Sequence, residues 1–283
     1  HPRTYNLSPE ALACKLAQAR AENRLPKVVV PVHLAGQSCD MAAIHALSRE
    51  YGFRIIEDAS HAIGGRYQGK PIGDCRFSDI TVFSFHPVKI ITSAEGGMAV
   101  TNDARLADRM ALFRSHGMTR DPAQMTREPD GPWYYEQIEL GYNYRMTELQ
   151  AALGLNQAAR LHDYVARRHV LAQRYDEHLA GLPLTTPWQH PDNYSGLHLY
   201  VIRVAAVRRR AVFDVLRAND IGVNVHYIPV HTQPYYQRTG DARGPFPEAE
   251  RYYAEAISLP MYATLSEDQQ DRVVEVLRGA LLA

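Results

Sequence analysis

Lys89 closes the run Ser84-Phe85-His86-Pro87-Val88-Lys89 and stands ahead of the glycine pair Gly96-Gly97. An amine at the end of an apolar run can form an imine if the scaffold holds it still and partly dry. Taken alone, a lysine in such a run is more often a solvated surface charge. A second stretch changes its weight. Phe53-Arg54-Ile55-Ile56 is another apolar run, and it ends in Glu57-Asp58-Ala59-Ser60-His61-Ala62. An acid and a histidine at the carboxyl end of one strand, with a serine and a lysine at the end of another, face one crevice of an α/β sheet.

The elements needed to hold these groups can be read along the chain. Ser8 is expected to cap a helix running to about Arg24, and Val28-Val29-Val30-Pro31-Val32-His33 reads as a buried strand. Asp40 is placed to cap a helix to Tyr51, followed by a strand over Phe53–Asp58. Strands over Ile80–Phe85 and Gly97–Thr101 come next, then a helix from Asp103 to His116. Strand and helix alternate at crossover spacing, which predicts an α/β fold with a mainly parallel sheet flanked by helices. Residues 118–142, with Pro122, Pro129, Gly131 and Pro132, read as a long functional loop. Thr147 and Gln150 form a capping-box pattern for a helix that runs with one break to Leu179. After Pro183 the pattern is a strand (His198–Val204), a helix (Val207–Asn219), a short strand (Val223–Tyr227), a loop, and helices near 246–256 and 266–281. We expect residues 1–165 to form part of a large cofactor-binding domain and 166–283 a smaller α/β domain.

Composition narrows the classes of function. The chain has 283 residues, 46% apolar and 22% charged, with 31 acidic and 31 basic side chains. That balance gives no field to draw nucleic acid or an anionic membrane, so neither is an expected partner. Arg208-Arg209-Arg210 is the tight basic cluster, and a solvated helix face accounts for it. Cys14, Cys39 and Cys75 lack metal-ligand spacing, and no metal is expected. Without a recognisable signal peptide or spanning segment, the expected compartment is the cytoplasm. A metal hydrolase built on His61, His86, His226 or His231 finds no HExxH or paired-carboxylate pattern, and no glycine-rich nucleotide loop is present.

Four blocks resemble the DegT/StrS family of nucleotide-sugar aminotransferases, which are fold-type I enzymes using pyridoxal 5'-phosphate. They are Glu57–Ala62, Ser84–Gly97, Gly141-Tyr142-Asn143-Tyr144-Arg145-Met146-Thr147-Glu148-Leu149-Gln150-Ala151-Ala152 and Ile257-Ser258-Leu259-Pro260-Met261. Within the family, the subgroup of pseudaminic-acid pathway 4-aminotransferases is the most similar. Pro31-Val32-His33-Leu34-Ala35-Gly36, Ser60-His61-Ala62, Phe113-Arg114-Ser115-His116-Gly117-Met118 and Val225-His226-Tyr227 carry that likeness.

The resemblance implies roles. Lys89 would bind the cofactor aldehyde and carry the proton between substrate and cofactor. Asp58 would pair with the pyridine nitrogen and keep it protonated, so that the ring accepts electrons. His61 would lie against the ring or its 3-oxygen, or else serve as a satisfied core histidine. Ser84 would bond the phosphate, and Asn143 would reach the phosphate of a neighbouring subunit, with Arg145 as a further contributor. The active site would therefore be shared across a homodimer. Asn224, His226, Tyr227 and Tyr236 correspond to a segment that contacts the sugar nucleotide. The implied reaction moves an amino group from L-glutamate to C4 of a UDP-linked 4-keto-6-deoxy-N-acetylhexosamine, toward pseudaminic acid.

Two relatives of other function share the fold. A pyridoxamine-dependent sugar dehydratase carries histidine at the lysine position, against Lys89 here. A non-catalytic relative would have little reason to keep Asp58, Ser84, Lys89 and Asn143 together. His1-Pro2-Arg3-Thr4-Tyr5-Asn6 reads as the middle of a protein, and the resemblance implies a preceding segment with further strands and a phosphate-binding helix N-terminus. Residues 1–283 alone are then expected to bind the cofactor weakly or not at all.

Overall fold

The computed structural model describes residues 1–240 and 244–282. Its first part runs α1 (Pro9–Ala21), β1 (Val28–Val29), α2 (Met41–Tyr51), β2 (Arg54–Asp58), β3 (Arg66–Tyr67), β4 (Lys70–Pro71), β5 (Ile80–Ser84), β6 (Gly97–Val100) and α3 (Ala104–Arg114). The short strands β7 (Met118–Thr119) and β8 (Glu136–Gln137) follow, then α4 (Glu148–Ala158) and α5 (Leu161–Leu179). The rest holds β9 (Leu184–Thr185), β10 (Asn193–Tyr194), β11 (Tyr200–Val204), α6 (Ala206–Ala218), α7 (Pro234–Thr239), α8 (Pro247–Glu255), β12 (Ala256–Leu259) and α9 (Glu267–Leu282).

The sheet that matters for the site has the order β1-β2-β5-β6. β1, β2 and β5 run parallel, and β6 returns antiparallel to β5. The helices that flank it start where short polar side chains can take orphan amides. Ser8, Asp40 and Asp103 each accept a first-turn N–H, and Thr147 with Gln150 completes a reciprocal capping box. α2 ends on Gly52 in the left-handed region, which lets the chain turn directly into β2.

Two packed regions stand out, one behind this sheet and one around the separate β12-β11-β9 sheet. Leu16, Met41 and Ile44 from α1 and the α2 turns bury against Phe53 and Ile55. A larger core joins Leu171, Tyr175 and Leu179 of α5 to Tyr200 and Ile202 of β11, Leu216 of α6, Ile257 of β12 and Leu277 of α9. Each of these side chains contributes about 1.5–3 kcal/mol when fully buried.

Several elements differ from the sequence expectation for identifiable reasons. The strand expected over Val28–His33 is reduced to Val28–Val29 with an isolated bridge between Val32 and Asp58. Pro31 has no N–H to give the ladder, so regular pairing stops there. The strand expected over Val223–Tyr227 survives as one bridge from Asn224 to Ser258. The Asn224 side chain takes the amide of Val225 at 2.8 Å and so withdraws it from pairing. Residues 118–142 carry the β7–β8 pair, clamped where Ile138 N–H reaches the Gly117 carbonyl at 2.9 Å. β12 and α7 were not anticipated.

Candidate active site

The register of β2 on β5 sets the site. Ile56 pairs with Ile80, Glu57 with Thr81 and Asp58 with Val82. Side chains alternate across a strand, so Asp58 and Ser84 share one face while Glu57 and Thr81 share the other. Asp58 Oδ1 accepts the Ser60 amide at 3.0 Å, which starts the turn that brings His61 back over the sheet end. Past Ser84, Phe85 N–H bonds the Gly96 carbonyl and Lys89 N–H the His86 carbonyl, at 2.8 and 2.9 Å. The resulting loop leaves Lys89 half-buried.

The charges there act on one another. Burial lowers the Lys89 pKa, and the Asp58 carboxylate opposes it. His61 is buried and is pushed down to about 4, first by desolvation and then by the positive charge of Lys89. Its ring is therefore neutral at physiological pH. The Ala35 N–H donates to His61 Nδ1 at 3.3 Å, which puts the ring proton on Nε2. Nε2 lies 3.2 Å from Tyr227 Oη, and the two rings stack with centroids 6.0 Å apart. Burial, followed by the Asp58 charge, holds the Tyr227 phenol above its usual pKa. His226 completes this side. Its Nδ1 is 2.7 Å from Ser258 Oγ and its Nε2 is 3.4 Å from Asn224 Nδ2. Burial and Lys89 both lower its pKa.

The structure thus brings Asp58, His61, Lys89, His226 and Tyr227 into one crevice, with Asn224 bonded to it through His226. Ser84 stands on the Asp58 face, its Oγ 3.5 Å from the His86 amide. For Asn143, Arg145 and Tyr236, among the described residues, no hydrogen bond, ion pair or ring contact links them to Lys89, Asp58 or His61. Asn143 pairs through its backbone with Ser115, and Tyr236 stacks edge-on against Tyr235 at 5.3 Å. A cavity of about 340 Å³ beside Leu34 and Ala35 is lined by Arg3, Tyr5, Trp188 and Arg203. Its lining offers neither an amine nucleophile nor a carboxylate.

His198 was missed in the sequence. It packs on His61 with centroids 4.5 Å apart, and burial drives its pKa down to about 2. Its Nδ1 is buried without a hydrogen-bond partner among the described residues. Ser258, which steadies His226, was noted only as part of a block. The signal for His198 was present in Gly196-Leu197-His198-Leu199-Tyr200, where a histidine interrupts an apolar run entering β11.

The sequence profile of the DegT/DnrJ/EryC1/StrS aminotransferase family matches residues 1–278. The chain belongs to this family. Among curated members, the spore coat polysaccharide biosynthesis protein SpsC of Bacillus subtilis is 42% identical over 259 residues, covering 89% of this chain and 66% of SpsC. Among solved structures, the PseC aminotransferase of Helicobacter pylori, involved in pseudaminic acid biosynthesis, superimposes with a TM-score of 0.87 at 31% identity. It covers 98% of this chain and 71% of PseC. The putative sugar aminotransferase Spr1654 of Streptococcus pneumoniae, in its PMP form, gives 0.86 at 27% identity, covering all of this chain and 74% of Spr1654. The chain spans about two thirds of the length of SpsC. The DegT family fold is that of the fold-type I aminotransferases, and the family depends on pyridoxal phosphate. The crevice suits that cofactor chemically: Lys89 offers an amine of lowered pKa, Asp58 a carboxylate close enough to act on it, and His61 a neutral flat ring. No helix among the described residues is long and apolar enough to cross a membrane.

Proposed function

We propose that the protein is a nucleotide-sugar aminotransferase that moves an amino group from L-glutamate to C4 of a UDP-linked 4-keto-6-deoxy-N-acetylhexosamine. The observation that carries this reading is the meeting of Lys89 and Asp58 beside a neutral His61 at the carboxyl ends of β2 and β5. Pyridoxal phosphate, when bound, supplies the electron sink for the transfer.

The residues have separable tasks. Asp58 holds negative charge against the ring nitrogen, and its backbone is fixed on both sides, to Pro31 and to His33. Lys89, half-dry and of lowered pKa, gives up its proton more readily than a surface lysine and serves as nucleophile and proton carrier. His61 keeps its proton on Nε2 and directs it to Tyr227, so the ring adds no charge to the crevice. Ser84 offers a hydroxyl to the phosphate from the same sheet face as Asp58. Asn224, His226 and Tyr227 line the side on which a sugar would enter. Asn143 and Tyr236 are assigned, respectively, to the phosphate of an adjoining subunit and to the sugar nucleotide. The likeness to PseC supports the pseudaminic-acid branch, while a homodimer in the cytoplasm follows from the resemblance of the sequence blocks to the family.

The test is borohydride trapping with pyridoxal phosphate, in the wild type and in Lys89→Ala. An adduct present only in the wild type, together with glutamate-dependent amination of the UDP-4-keto sugar, is expected. Equal labelling of both proteins, or amination by Lys89→Ala at the wild-type rate, overturns the reading.

A further inference from the structure

Glu57 neighbours Asp58 but points the other way, into the core behind the crevice. It is 5% exposed, and its carboxylate is met by three side chains from two segments of the chain. His33 Nε2 lies 2.8 Å from Oε2, Thr81 Oγ1 donates to Oε1 at 3.2 Å, and Ser78 Oγ also donates to Oε1. Burial works against the charged form, yet these donors outweigh it and hold Glu57 below the usual carboxylate range.

His33 is completely buried, and both of its nitrogens are engaged. Burial depresses its pKa, and contacts with Cys39 and Glu57 more than reverse this, to about 9. The share of that rise due to Cys39 as an anion needs a thiolate, whereas Cys39 Sγ donates to the Val32 carbonyl at 3.3 Å. The Cys39 N–H also donates to His33 Nδ1 at 3.2 Å. An amide hydrogen can only be given, so Nδ1 carries no proton: with Cys39 a thiol, the rise that would charge the ring does not apply, and His33 is neutral with its one proton on Nε2 facing Glu57. The ring is locked between two elements.

The backbone of His33 carries this lock into the crevice. Its N–H bonds the Asp58 carbonyl at 3.0 Å, tying the end of β2. Directly after it comes the 3-10 turn Leu34–Gly36, with Ala35 in the left-handed region at φ 59°. That conformation is strained for an alanine and persists only where neighbours enforce it. Gly36 follows at φ 107°, and a Cβ there would stand 2.6 Å from Leu197 N and 2.9 Å from the His61 carbonyl. The far side of the turn is held by Gly196 N–H to Gly36 O and Leu199 N–H to Ala35 O, at 3.0 and 3.3 Å. From this constrained turn, Ala35 N–H reaches His61 Nδ1.

We infer that Glu57 is a positioning residue: through His33 it holds the turn whose Ala35 amide keeps the His61 proton on Nε2, aimed at Tyr227. Glu57 touches neither cofactor nor substrate and acts only through the turn. Its importance for transfer rests on the function proposed above, whereas its structural effect on His61 does not.

The experiment is long-range nitrogen–proton NMR on the protein labelled with ¹⁵N-histidine, with no cofactor added. In the wild type, His61 should show an acceptor-type Nδ1 and a protonated Nε2. Glu57→Gln, shown to be folded by its thermal transition, should lose this preference, the two nitrogens moving toward a common averaged shift. His33→Asn gives an independent reading, since it keeps an acceptor for Cys39 but leaves Glu57 without its ring donor. A wild-type His61 protonated on Nδ1 overturns the proposal, and so does an unchanged Nε2–H form in either folded variant. Because no pyridoxal phosphate is present, failure of the Lys89 trapping experiment leaves this result readable.

Discussion

His61 Nε2 and Tyr227 Oη stand 3.2 Å apart although 166 residues separate them in the chain. The amide of Ala35 takes the other ring nitrogen, so the imidazole donates and the phenol receives. Tyr227→Phe leaves the Nε2–H without that acceptor while preserving the stacked ring. A neutral hydrogen bond is worth about 1 kcal/mol, or roughly a fivefold loss. We expect kcat/KM to fall by about that factor, with cofactor trapping at Lys89 unchanged. A wild-type value would show that the contact is idle.

Asp58→Asn keeps the shape of the crevice and removes its negative charge. Breaking a buried charge pair costs about 3–5 kcal/mol, which corresponds to a loss of roughly 10² to 5 × 10³-fold in turnover. Single-turnover kinetics with glutamate would register it. A loss below tenfold would mean that the carboxylate is not what keeps the ring nitrogen protonated.

The two histidines packed against each other, His61 and His198, make the fold sensitive to acid. His61 is pushed down to about 4 and His198 to about 2, mainly by burial, while both titrate near 6.5 when unfolded. The unfolded chain therefore binds more protons below pH 6.5. Stability is full above that pH and falls as pH drops toward 4, by up to about 3 kcal/mol for His61 alone. Urea midpoints between pH 7 and 4.5 would follow the decline. His198→Leu is expected to flatten it, and an unaltered slope would assign the acid sensitivity to other groups.

Arg168 is 5% exposed, and its Nη1 lies 3.0, 3.2 and 2.9 Å from the carbonyls of Leu197, His198 and Met261. Burial lowers its pKa to about 10, still leaving it charged at neutral pH. Arg168→Met abandons three buried carbonyls. We expect a destabilisation of about 3 kcal/mol in urea unfolding, since each orphaned acceptor costs about 1–3 kcal/mol and relaxation recovers part of it. A change below about 0.5 kcal/mol would show that water replaces the guanidinium.

The sequence made Asp58, His61 and Lys89 legible because each follows an apolar run, and parallel strands bring such ends together. Ser8, Asp40, Asp103 and Thr147 were legible because a cap is a local event. His198 was not, because its partner His61 is distant in sequence and meets it only through the Gly36 turn and the entry to β11. The shortened strands at Val28 and Asn224 were misjudged because apolar pattern says nothing about which amides remain free to pair. Pro31 and the Asn224 side chain decided those. Glu57 was visible as an acid beside Asp58, but its burial depends on strand alternation and on Ser78 and Thr81.

α4 and α5 adjoin in sequence but are anchored very differently. α5 buries Val165, Arg168, Leu171, Ala172, Tyr175 and Leu179, whereas α4 buries nothing and leaves Leu149 at 86% and Leu155 at 76% exposure. Amide hydrogens should therefore exchange far sooner along α4, which can unwind without disturbing the core. The Gly141–Arg145 segment leads straight into it. Any surface that covers Leu149 and Leu155 would thus also raise the protection of Asn143, by binding the wound form alone.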